Sequence, residues 1–167
     1  MADTIRELII QEFIARAAVI RTTGSAPAYA TDIGWKVLRA RPKVDPEELP
    51  CAVIWPQAEE AENKNGQVLH RMPLRVEGIV LFGALEPSVF AERLLGDLIK
   101  CFTSPAWDRR RPIAGSSPPA WLAPYAESIV YQGGGMNEAP EDGAISVGVS
   151  ATFQVSYWTL AGDPSAQ

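Results

Sequence analysis

Two stretches of this chain, "QVLHRMPLRVEGIVLF" at residues 67–82 and "AISVGVSATFQVSYWT" at residues 144–159, alternate apolar with polar side chains along their whole length. In the first, Val68, His70, Met72, Leu74, Val76, Val80 and Phe82 share one side, against Arg71, Arg75 and Glu77 on the other. In the second, Ile145, Val147, Val149, Ala151, Phe153, Val155 and Tyr157 oppose Ser146, Gly148, Ser150, Thr152, Gln154 and Ser156. A period of two is the period of a β-strand, and a strand with one apolar and one polar side belongs to an antiparallel sheet covered on a single face. At about 3.3 Å per residue each strand would run for roughly 50 Å. A compact chain of this length is only about 40 Å across. Such a strand must bend, project, or find a mate on another copy of the chain. Pro73, which has no N–H to donate, and Gly78 are the expected places for a bend, a bulge or an edge.

The elements between these strands follow from their own spacing. Residues 3–21 carry Ile5, Leu8, Ile9, Phe13, Ala17 and Ile20 at helical intervals behind Asp3 or Thr4 as a cap. Short strands are expected at Trp35–Ala40 and from Cys51 to Pro56. The charged stretch "EEAENKNGQ" is expected to turn at Asn65 and Gly66, a strong hairpin signal. A second helix begins at Glu86, Pro87 and Ser88 and runs through Ala91, Leu94, Leu95, Leu98 and Phe102. Prolines and tryptophans make residues 103–126 an irregular excursion. "ESIVYQ" is a short strand, and Gln132–Gly143, with three consecutive glycines, is a long loop before the last strand. These readings predict an α+β fold: a mainly antiparallel sheet of four to five strands flanked by two helices on one side. They place a single domain at residues 1–162 and a frayed tail at 163–167.

Composition narrows the chemistry. Apolar residues are 47% of the chain and charged residues 21%, enough for a real core, and no apolar run approaches the ~20 residues of a membrane-spanning helix. The net charge of −5 has the wrong sign for gripping a phosphate backbone. Cys51 and Cys101 lack CxxC spacing and are expected to be buried reduced thiols.

His70 is the sole histidine, so any acid–His–nucleophile arrangement would have to form around it; its place on the apolar side of a strand favours a satisfied core imidazole. No ligand set for a metal stands out. The glycine run is not followed by a Lys–Ser/Thr pair and does not open a helix, which excludes a phosphate loop. No catalytic residue and no cofactor is expected.

The candidate sites are therefore surfaces. Three adjacent guanidinium groups, Arg109, Arg110 and Arg111, stand beside Trp107, suited to docking on carboxylates, phosphates or a neighbouring subunit. Glu59, Glu60 and Glu62 are a plausible complement on another copy. Arg39 and Arg41, on the basic strand, and Glu141 and Asp142, beyond the glycines, complete the expected interface set.

The order of elements, together with "YATDIGWKVLRARPKVDPEELPCAVIWPQ" and with "MPLRVEGIVLFG" leading into "PSVFAERLLGDLIKCF", resembles the tail terminator proteins of long-tailed, lambda-like bacteriophages over roughly residues 1–160. The resemblance implies a hexameric ring that caps the finished tail tube, ends its polymerisation, and presents a surface to the head connector. It implies a virion protein made in the host cytoplasm. Its partners would be other copies of itself, the tail tube protein and the connector or stopper protein, with DNA passing through the lumen without specific binding. An acidic lumen suits such passage, since each inward Lys or Arg would add a phosphate contact. Two other readings remain open at this point: a head–tail connector or stopper of the phage neck, and a small hydrolase or ligand-binding domain with a pocket around Trp107, Trp121 and His70.

Overall fold

Fifteen consecutive residue pairs join the two long strands to each other. In the computed structural model, which describes residues 3–23, 29–34, 36–82, 85–103, 122–137 and 145–167, Gln67–Leu81 (β4) lies antiparallel to Ser146–Leu160 (β6) from Gln67↔Leu160 to Leu81↔Ser146. Neither strand waits for another copy along this seam, which corrects the expectation that their length drives them to a neighbour. Each is the other's mate.

Around this pair the sheet has six strands. Lys36–Arg39 (β1) is parallel to Cys51–Pro56 (β2); β2 is antiparallel to β4; Ser128–Met136 (β5) is antiparallel to β6, giving the order β1-β2-β4-β6-β5. The sixth strand, Glu60–Lys64 (β3), pairs with the first part of β4, on the edge that β2 occupies further along. The stretch expected to be only a charged turn therefore holds a strand. The turn itself is at Asn65 and Gly66, both with positive φ (50° and 84°), as a tight hairpin of right-twisted strands requires.

Pro73 sits in the middle of β4 without interrupting its register with β6. Its carbonyl accepts from the Gln57 N–H at 3.0 Å, so its nitrogen also faces the β2–β3 side, because N–H and C=O of one strand residue point the same way. On that side residues 57–59 interrupt pairing between Pro56↔Leu74 and Glu60↔Arg71. The missing donor falls at the gap, and the β6 ladder is untouched.

The two helices, Ile5–Ala17 (α1) and Pro87–Thr103 (α2), cover one face. Thr4 caps α1 by accepting from the Glu7 N–H, and Pro87 occupies the first turn of α2, where its absent N–H costs nothing. Ile5, Ile9, Ile10, Phe13 and Ala17 from α1 and Ala91, Leu94, Leu98, Cys101 and Phe102 from α2 are buried against Ile54, Met72, Leu74, Val76, Val149, Ala151, Phe153 and Val155. At the centre Phe13 stacks on Phe102 at 4.8 Å, and Phe102 meets Phe153 edge-on at 5.3 Å. Gly78 lets Leu94 and Ile33 close onto β4: a Cβ there would stand 3.1 Å from the Leu94 Cδ1 and 3.2 Å from the Ile33 Cδ1.

Two further expectations are corrected. Gln132–Met136 are not loop: the β5 strand continues through the glycines, with Gln132 as the extra residue of a bulge between Tyr131 and Gly133. Gly134 is required there, because a side chain would collide with the Ser150 carbonyl oxygen. The tail at 163–167 is not frayed either. Pro164 accepts from the Ile5 N–H at 3.0 Å, Ala166 accepts from the Leu160 N–H at 2.9 Å, and Gln167 Nε2 donates to the Tyr125 carbonyl at 2.6 Å.

Candidate functional site

The one histidine lies at the end of the sheet where the helix face, the β2–β3 gap and the last strand converge. His70 stacks on its cross-strand partner Tyr157, centroids 4.7 Å apart and planes 8° from parallel. Its Nδ1 is 3.2 Å from Glu59 Oε1 and its Nε2 is 2.9 Å from Thr159 Oγ1. Glu59, in the gap, also accepts from the Tyr157 hydroxyl at 2.7 Å and pairs with Arg6 Nη1 at 2.8 Å. Arg6 donates in turn to the Gln57 carbonyl at 2.9 Å. One carboxylate thus fastens the start of α1, the gap and two strands. Burial, and then the hydrogen bond to a negative acceptor, push the Tyr157 phenol well above its ordinary pKa, so it stays a donor.

Carboxylate, imidazole and hydroxyl in a line are also the components of a nucleophilic triad. Here the hydroxyl belongs to Thr159, which is 3% exposed, and both imidazole nitrogens are engaged with protein atoms. Among the described residues the hydroxyl is closed off from solvent, and the cluster acts as a clamp. Among the described residues no three His, Cys, Asp or Glu side chains converge as metal ligands, and no helix is long and apolar enough to cross a membrane.

Both cysteines are buried and free. Burial pushes each thiol up to about 11, with Glu48 and Glu77 adding to the effect at Cys51. Cys51 and Val53 lie on the face opposite the helices, together with Trp55, Arg75 and Glu77. There Trp55 Nε1 donates to Glu77 at 2.7 Å and the Arg75 guanidinium lies 5.3 Å from the Trp55 ring centre.

The expected interface residues separate into two groups. Arg39 holds Glu7 at 2.7 Å, pinning β1 to α1 and drawing the Glu7 carboxyl below its ordinary value. Arg41 pairs with Glu48 at 2.5 Å, across the connection from β1 to β2. Glu59 is spent in the clamp, with its side chain 23% exposed. Glu60 is exposed at the head of β3. Trp107, Arg109, Arg110, Arg111, Glu141 and Asp142 lie outside the described residues.

Sequence reasoning missed the partners of His70. Tyr157 and Thr159 were visible as same-side residues of the last strand, but pairing them with His70 needs the register. It also missed Asp97, a carboxylate on the buried stripe of α2. Asp97 is 5% exposed and accepts from the N–H groups of Ala30 and Thr31 and from the Thr31 hydroxyl at 2.7–3.1 Å, anchoring residues 29–34 to the helix.

The two ends of the sheet are open among the described residues. Among the described residues the outer sides of β1 and β5 meet no backbone partner. β5, "SIVYQGGGM", contains no charged residue, whereas β1 has Lys36 and Arg39 and β3 has Glu60, Glu62 and Lys64. Natural edge strands are commonly guarded by charge or proline; β5 has neither. No family model matches the chain, and no curated protein matches it.

Proposed function

We propose that this chain is a structural subunit that assembles into a ring on the end of a phage tail tube, ends tube polymerisation, and offers the surface to which the head connector joins. The observation that carries the reading is β5: a nine-residue, uncharged strand at the end of the sheet, unpaired on its outer side among the described residues. An isolated domain gains nothing from such an edge, while an assembling one uses it as a joint. The engagement of both His70 nitrogens argues for a geometric task over a chemical one. On this reading DNA passes the acidic subunit without being held.

The test is capping. Purified chain added to growing tail tubes should bind tube ends, seen by negative-stain imaging, and stop their elongation. Binding to filled heads in preference to tube ends would assign it to the neck as a connector or stopper. A protein that neither self-associates nor touches either structure would refute both.

A further inference from the structure

The third glycine of the run in β5 has no reason within the fold. Gly134 is closed in by the Ser150 carbonyl, and Gly133 holds a positive φ of 140°. At Gly135 the backbone lies outside the left-handed region, and an added Cβ would meet nothing within 4 Å. Glycine weakens a strand interior, and where neither a turn nor a clash demands it, it marks a place where something else comes close to the backbone.

Gly135 lies abreast of Ser150 and Glu77 across three strands, on the face opposite the helices. With Arg75, Met136 and Asn137 they line an open hollow of about 450 Å³, the size of a small-ligand site. We infer that this hollow binds a neutral, polyhydroxylated ligand, a saccharide, laid on the bare backbone of Gly135 and held from one side by Arg75 and Glu77.

Arg75 supplies the second observation. Glu77 gives one oxygen to the Trp55 indole at 2.7 Å and the other to Arg75 Nη2 at 3.2 Å, so it cannot take the guanidinium with both. Arg75 Nε is left buried without a hydrogen-bond partner among the described residues, while 41% of the side chain stays exposed beside the Trp55 ring. A guanidinium carries a fork of N–H donors, and this one is short of acceptors at the rim of the hollow. Ligand oxygens would supply them.

The lining also selects the class of ligand. Arg75 and Glu77 cancel in charge, and the chain as a whole is at −5, so the hollow favours neither an anion nor a cation. Its groups are mixed: N–H donors on Arg75 and on the Asn137 amide, acceptor lone pairs on Glu77, and the Ser150 hydroxyl, which does both. Sugar hydroxyls donate and accept at once and match such a set, whereas a lipid or an aromatic ligand would leave it unpaired.

The experiment uses the whole chain and does not depend on copies joining. Maltose, lactose and N,N′-diacetylchitobiose are each titrated to about 100 mM and followed by nitrogen–proton NMR, with sodium acetate as the anionic probe. At least one sugar should shift the Gly135 and Ser150 amides, the Arg75 Nε–H and the Trp55 indole N–H along one saturable curve, at a Kd of about 1–10 mM, as an open site gives. Acetate should not. Gly135→Val fills the floor at a position with room for it; it should keep the circular dichroism spectrum and melting temperature and bind about tenfold more weakly. Arg75→Lys, which keeps the charge and loses the fork, should also weaken binding.

No saturable shift with any of the three sugars, or binding that survives in a folded Gly135→Val chain, would overturn the inference and leave the capping reading standing. Saturable binding of acetate alone would overturn the choice of a neutral ligand. Loss of tube capping in Gly135→Val, with sugar binding absent from the parent chain, would assign the bare backbone to a protein contact instead. If Gly135→Val is unfolded, Gly135→Ala and Arg75→Lys decide, and unchanged affinity in both would refute the site.

Discussion

Tyr157 and Glu59 are separated by 98 positions in the chain and by 2.7 Å in space, the phenol donating to the carboxylate. That bond closes the gap between β2 and β3 onto the last strand, and Arg6 locks the start of α1 to the same acid.

Removing the acid should therefore cost more than removing the phenol's hydroxyl. Glu59→Ala leaves the buried Tyr157 hydroxyl without its acceptor and frees Arg6, and is expected to destabilise the chain by about 2–3 kcal/mol. Tyr157→Phe removes one donor while Arg6 and His70 still hold the carboxylate, and is expected to cost about 1 kcal/mol. Urea denaturation of the two variants checks the order; equal midpoints would show that Glu59 is not the hub.

Asp97 is expected to be the more sensitive polar residue. Asp97→Ala orphans the Thr31 hydroxyl and the N–H groups of Ala30 and Thr31 inside the core, a loss of about 3 kcal/mol. Asp97→Asn keeps the shape and one acceptor oxygen and should lose less. Thermal unfolding measures both, and amide exchange at residues 29–34 should rise in the alanine variant while that of the β4–β6 ladder holds.

The thiols set the alkaline behaviour. Each is held at about 11 when folded, against about 8.5 for a free cysteine. The folded state therefore keeps protons that the unfolded state releases. Their contribution to stability is intact below about pH 8.5 and falls as pH rises through the folded value. At pH 8 both should resist a thiol reagent in the native protein and react fully in denaturant. Rapid native labelling at either position would contradict the burial.

Gly78→Ala should destabilise although alanine suits a strand better than glycine does. The added methyl meets Leu94 and Ile33, and the expected cost is about 1–3 kcal/mol by calorimetry. Gly78→Ala with Leu94→Val should recover part of it, since both act on one contact.

The long strands and both helices could be read from periodicity, because Met72, Leu74, Val76 and their neighbours repeat at the interval the structure uses. The pairing of β4 with β6 could not. Length alone was equally consistent with a mate on another copy, and only register shows that the two ribbons satisfy each other. The glycines misled for a physical reason. Gly133–Gly135 are turn formers by propensity, yet Gly134 belongs to the strand because nothing larger fits beside Ser150. Gln57–Glu59 gave no local signal, since the gap exists to meet Pro73 in another strand. Of the candidate surface, Arg39 and Arg41 were recognisable as basic, but their engagement with Glu7 and Glu48 arises from tertiary contact.

The bond from the Ile5 N–H to the Pro164 carbonyl fastens the first turn of α1 to the segment that follows β6 at one corner of the fold. A fluorophore placed beside Ile5 and one placed beside Pro164 would report from the same point in space. A short linker across that corner would allow the chain to be reopened at Asn65–Gly66, re-wiring the connectivity while the packed layers stay as they are.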